Sequence, residues 1–111
     1  MNIESRMQGA VAILKPVGPL VQTDADQFRE RAMSVADERL GRVIVDSVAI
    51  PFADSKGLEA LVDVTMAIAK GGRSLKLSGV NPTLREVLEL TGLAASFDIF
   101  EDVNTAVRSF L

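Results

Sequence analysis

With 111 residues, 48% apolar and 24% charged side chains and a net charge of -3, the chain reads as a single domain over 1–111, offering no basic surface for nucleic acid or anionic membranes. The absence of cysteine and histidine excludes disulfides, thiolate metal sites, a cysteine nucleophile and the commonest general base, so most enzyme chemistry is out of reach. No run approaches the roughly 18 apolar residues of a membrane span, and no basic segment followed by a long apolar run opens the chain, so a cytoplasmic location without membrane insertion is expected.

Ala10 to Leu14 is a short apolar run that predicts a strand, ended by Lys15-Pro16-Val17-Gly18-Pro19 because proline cannot continue a ladder. Ala25, Phe28, Ala32, Val35 and Ala36 then recur at helical spacing, which predicts an amphipathic helix capped near Thr23 or Asp24 and stopped by Gly41. Val43 to Ile50 has the β-branched composition of a central strand covered on both faces. A second helix is expected from Ser55, with Leu58, Leu61, Val62, Thr65 and Ala69 in period, until Lys70-Gly71-Gly72 ends it.

Arg73 to Ser78 alternates, which predicts a strand with Leu75 and Leu77 on its one covered face. A third helix is expected with Asn81 as cap, Pro82 at its first position and Gly92 just past its end. Phe97 to Phe100 reads as a last strand, and Val103, Ala106, Val107 and Phe110 as a final short helix. Strand and helix alternate throughout, so the fold class is α/β, a small mixed sheet of four to five strands with about four helices and right-handed crossovers between parallel strands.

The connection Ile50-Pro51-Phe52-Ala53-Asp54-Ser55-Lys56-Gly57-Leu58 carries the candidate site. It places a serine hydroxyl at a helix start, where unpaired N–H groups and partial positive charge accommodate an anion such as a phosphoryl group. Asp54 and Ser55 are also good capping residues, each worth about 1 kcal/mol in that role, and capping is compatible with modification. Gly57 in a first helical turn costs up to about 1 kcal/mol relative to alanine, which points to close approach of a partner backbone.

Gly71-Gly72 follows a helix and lacks the lysine and hydroxyl ending of a phosphate loop, so it reads as a helix end. Asp46, Asp54 and Glu59 make a carboxylate trio such as any acidic protein supplies by chance, and Met33 and Met66 read as core fillers. No catalytic, cofactor-binding or metal-ligating residue is assigned.

Val43-Ile44-Val45-Asp46 followed by Val48-Ala49-Ile50-Pro51-Phe52-Ala53-Asp54-Ser55-Lys56-Gly57-Leu58 resembles the STAS domain of bacterial anti-sigma factor antagonists, with its strand, Asp-Ser-x-Gly-Leu turn and helix. Gly71-Gly72 before a strand, Gly79-Val80-Asn81-Pro82 before a helix, and Leu88-Glu89-Leu90-Thr91-Gly92-Leu93 before Phe97-Asp98-Ile99-Phe100 resemble the same family in the same order. The resemblance implies a non-enzymatic partner switch without a cofactor. The unphosphorylated protein binds a GHKL-type serine kinase that is also an anti-sigma factor, the kinase phosphorylates Ser55, and a PPM-type phosphatase reverses the step.

Asp54, Ser55, Lys56, Gly57 and Leu58 would then form the partner-binding segment. Lys56 stands where many members have a second serine, and Val21 where many have an acidic residue. Lys56 is open to two readings, an ion pair with a phosphate or a kinase carboxylate, or an ordinary solvated lysine. Relatives also serve as non-phosphorylated subunits of lipid-transport and other complexes, the alternative function for this chain.

Overall fold

Five strands form one sheet in chain order, β1 (Asn2–Gln8), β2 (Val11–Val17), β3 (Val43–Asp46), β4 (Leu75–Ser78) and β5 (Phe97–Phe100), in a computed structural model that describes residues 1–111. β1 runs antiparallel to β2, and every other neighbouring pair is parallel. Between and after the parallel strands lie α1 (Gln22–Glu38), α2 (Ser55–Ala69), α3 (Pro82–Leu90), a 3-10 turn at Ala94–Ser96 and α4 (Val103–Arg108).

Side chains alternate across a strand, so β2 and β3 each feed two cores. Leu14, Val43, Val45, Leu75 and Leu77 face α1, α2 and α3 and join Phe28, Leu61, Val64, Leu84 and Leu88 in the main core. Val11, Ile13 and Ile44 face the other way and pack on Ala106 of α4, with Val103, Val107 and Phe110 around them. This second layer corrects the expectation of one covered face on β4. Lys76 lies under α4 instead of in open solvent, its ammonium 4.6 Å from the Phe110 ring centre and 3.3 Å from an Asp98 carboxylate oxygen.

The N-terminal strand carries no signal of its own. Its sequence, Asn-Ile-Glu-Ser-Arg-Met-Gln, is almost entirely exposed, and it exists as an edge strand by pairing along all of β2, from Asn2 opposite Val17 to Gln8 opposite Val11. That pairing also carries β2 through Pro16, beyond the expected end at Leu14. β3 accompanies β2 only from Ala12 to Leu14, so past that point β2 has one ladder, and a residue without an N–H is tolerated on the free side. β3 in turn stops at Asp46 rather than Ile50: the Ser47 N–H makes the last bond to β4, at 2.7 Å to the Ser78 carbonyl, and the Ile50 N–H then donates back to the Ser47 carbonyl at 3.0 Å, closing a turn.

Thr65, which falls in the apolar period of α2, has a different role from its neighbours. It is buried, and its hydroxyl accepts the Leu75 N–H at 3.0 Å while donating to the Ser96 carbonyl at 3.0 Å, tying α2 to the start of β4 and to the turn before β5. Thr65→Val keeps the shape and orphans a buried N–H and a carbonyl, so it is expected to lower stability by about 1–3 kcal/mol in urea unfolding. Thr65→Ser keeps both hydrogen bonds and is expected to cost less; a larger loss in Thr65→Ser than in Thr65→Val would assign the effect to packing of the methyl group instead.

Candidate functional site

The loop from β3 to α2 is held along both of its sides. On one side it runs beside the segment after β2: Gly18 donates its N–H to the Ala49 carbonyl at 3.0 Å, Leu20 to that of Phe52 at 3.0 Å, and Asp54 to that of Leu20 at 3.3 Å. On the other side the Asn81 amide donates to the carbonyls of Ile50 and Pro51 at 3.0 and 3.1 Å. The Asn81 Oδ1 meanwhile accepts the Leu84 N–H at 2.7 Å, so the residue expected as the cap of α3 also pins the loop. Ile50, fully buried, anchors the middle of the loop in the main core.

Asp54 sits where the helix begins, and its carboxylate serves two helices at once. Oδ1 accepts the Gly57 N–H at 2.9 Å, which caps α2, and Oδ2 accepts the Gln22 N–H at 3.0 Å, which meets the first exposed donor of α1. The expected cap of α1 at Thr23 or Asp24 is therefore replaced: the flanking residue is Val21, with no side-chain cap of its own, and the oxygen arrives from a loop distant in sequence. The shared carboxylate also holds Gln22 in the left-handed region, at φ 51°, which L-residues other than asparagine and aspartate seldom occupy. The Gly57 N–H stabilises the charged form most, desolvation opposes it with the next largest effect, and the N–H groups of Gln22 and Lys56 add to the stabilisation. The Asp54 pKa is thereby held below the usual carboxylate range.

Ser55 is the first residue of α2 and is exposed, so its hydroxyl stands at the surface beside a cap already supplied by Asp54. Lys56, also exposed, reaches across to Asp26 on α1 at 3.7 Å and belongs to a charged seam with the Arg29–Asp63 pair at 3.1 Å. This gives the lysine a partner within the chain, in a solvated pair of small energetic weight.

Gly57 is buried, and the backbone that approaches it is the chain's own, since a Cβ there would lie 2.0 Å from the Leu20 carbonyl oxygen. This corrects the reading of that glycine as room for a partner. Leu58 is half-buried against the main core. Val21, likewise half-buried, flanks the start of α1.

Two apolar side chains on the same loop are exposed: Val48, expected in a strand covered on both faces, at 62%, and Phe52, given no role of its own, at 49%. An aromatic and a valine in a proline-containing connection are the signal that could have marked them, because loops otherwise favour small polar residues. Asp46, Asp54 and Glu59 do not come together as a group able to hold a metal ion. No helix is long and apolar enough to cross a membrane.

Residues 2–106 match the model of the STAS domain family. No curated sequence matches the chain at a significant level. Among solved structures, a Thermotoga maritima protein assigned to the anti-sigma factor antagonists superposes with a TM-score of 0.88 at 20% identity, covering 96% of this chain and 92% of that one. The anti-sigma factor antagonist SpoIIAA in its unphosphorylated form gives 0.80 at 17% identity over 98% of this chain and 96% of that one, and the phosphorylated Bacillus form gives 0.74 at 17% over 99% and 100%. The murine anion transporter Slc26a9 gives 0.76 at 17% identity, covering 95% of this chain and 18% of the transporter.

Two outcomes follow from this geometry. Gly57→Ala gains about 1 kcal/mol in helix propensity but forces the helix off the Leu20 carbonyl, and is expected to be destabilising overall by about 2 kcal/mol in denaturant unfolding. Because the folded-state pKa of Asp54 is lowered, its contribution is present at neutral pH and is lost as the pH falls below about 4 and through the folded value. The gap in unfolding midpoint between the native sequence and Asp54→Asn is therefore expected to be widest near neutrality and to close in acid. A gap independent of pH would contradict this role for the charge.

Proposed function

This chain belongs to the STAS domain family, and on that footing we propose that it is a non-enzymatic partner-switching regulator of the anti-sigma factor antagonist kind, controlled by reversible phosphorylation of Ser55. The observation that carries the proposal is the exposed hydroxyl at the first position of α2, next to a carboxylate that has already capped the helix. The hydroxyl is then free for chemistry while the backbone around it is fixed.

The partner is a GHKL-type serine kinase that doubles as an anti-sigma factor. Its docking surface on this chain comprises Asp54, Ser55 and Lys56, shaped from beneath by Gly57 and Leu58 and bordered by the exposed Val48 and Phe52. The kinase transfers the γ-phosphoryl group of ATP to the Ser55 oxygen, with ADP leaving and the hydroxyl proton passing to the kinase. A PPM-type phosphatase hydrolyses the ester. The chain is the substrate in both steps, which suits a sequence without histidine or cysteine, and reliance on ATP suits a cytoplasmic location.

The phosphate adds about -1.5 to -2 charges, which the N-terminus of α2 tolerates and an apolar or acidic partner surface does not. A loss of roughly 3 kcal/mol would weaken the complex more than a hundredfold.

A second reading rests on the likeness to the transporter, in which a similar fold is a small part of a larger chain. There the protein would be a fixed, unphosphorylated subunit of a lipid-transport or other multiprotein complex.

With the kinase and ATP, intact-mass spectrometry is expected to show one added phosphate, and Ser55→Ala to show none. Since Asp54 provides the cap, Ser55→Ala should change stability by no more than about 0.5 kcal/mol. Equal labelling of Ser55→Ala would remove Ser55 as the acceptor. Co-purification with a transport ATPase, with no phosphorylated form in cells, would favour the second reading.

A further inference from the structure

At the end of the sheet opposite Ser55, the carboxyl ends of α1 and α2 and the chain leading into β3 and β4 enclose a cleft of about 600 Å³, within the usual size of small-molecule sites. Its apolar lining is aliphatic, chiefly Met33, Leu40 and Ile68, with no aromatic ring to stack a base. Three cations, Arg42, Lys70 and Arg73, border it against the single acid Asp37.

The charge balance favours an anion. The excess of two positive charges is offset by about half a negative charge from each of the two helix ends, which leaves a small positive residue suited to one anionic head group. Arg73 turns its guanidinium over the Phe110 ring at 5.5 Å, and neither Arg42 nor Lys70 belongs to an ion pair of the chain.

Two further features set the cleft apart from the rest of the fold. The Arg42 Nε is buried without a hydrogen-bond partner, a costly state for a charged donor. Leu40 is 72% exposed and held at φ 55°, so a large aliphatic side chain faces solvent in a backbone conformation that L-residues seldom adopt. Asparagine or glycine would sit there more comfortably.

We propose that this cleft binds a monoanionic amphiphile, an aliphatic chain bearing a carboxylate or phosphate, with Arg42 and Lys70 holding the head group and Leu40 and Ile68 covering the chain. The site lies at the far end of α2 from Ser55 and does not depend on phosphorylation.

Calorimetric titration of the whole protein with dodecanoate, kept below its micellar concentration, provides the test. Saturable binding is expected, weakened at least fivefold in Arg42→Gln and in Lys70→Gln. Leu40→Asn is expected to weaken binding likewise while unfolding at the same temperature as the native sequence or higher, which separates a ligand role from a structural one. Equal binding of dodecyltrimethylammonium would overturn the proposal, as would dodecanoate binding unchanged in both cation variants or absent altogether. Given binding of the monomer, sedimentation with phosphatidylglycerol vesicles would assign the source to membrane lipid, and its absence to a free amphiphile. Sedimentation without monomer binding would overturn the cleft in favour of a surface contact.

Discussion

The Asp54 carboxylate is the interaction on which the geometry of the β3–α2 loop and the starts of α1 and α2 depends. One group accepts the N–H of Gly57 at the start of α2 and that of Gln22 at the start of α1, so two helix termini with unpaired donors and partial positive charge share one anion. The Asp54 N–H donates to the Leu20 carbonyl, and Gly57 has no Cβ to keep that carbonyl away. Acid, glycine and the Leu20 backbone are thus one joint between the starts of α1 and α2.

A loop fixed in this way presents its surface without being ordered by a partner. Asn81 holds it from the side of α3 and buried Ile50 from below, so little conformational entropy remains to be lost on docking. A phosphate on Ser55 would therefore act through charge and bulk at a prepared surface, with the backbone already where it needs to be. Lys56, paired with Asp26 across the α1–α2 seam, stays solvated and adds little to that frame.

What the sequence revealed is what depends on neighbouring residues. Asn81, Pro82 and Gly92 mark α3 because cap, first position and terminator are all local, and Ser55 marks the start of α2 for the same reason. What it concealed depends on residues far apart in the chain. β1 is polar and exposed and becomes a strand only because β2 is beside it, and that pairing lets β2 continue through Pro16. The cap of α1 is not at Thr23 or Asp24 because the Asp54 carboxylate reaches it across the fold. Gly57 could be recognised as unusual from its place in a helix, but only the fold shows that the close neighbour is Leu20. The family resemblance drew attention to the candidate site, and the geometry then separated Asp54, which caps both helices, from Ser55, which is exposed beside it.

The shared carboxylate can be measured directly by following the amide protons of Gln22 and Gly57 and the carboxyl carbon of Asp54 by NMR as the folded protein is acidified. All three should titrate together, at a pKa below the usual aspartate range. A Gln22 amide that ignores the Asp54 titration, or an Asp54 carboxyl that titrates like one in an unfolded peptide, would contradict the account.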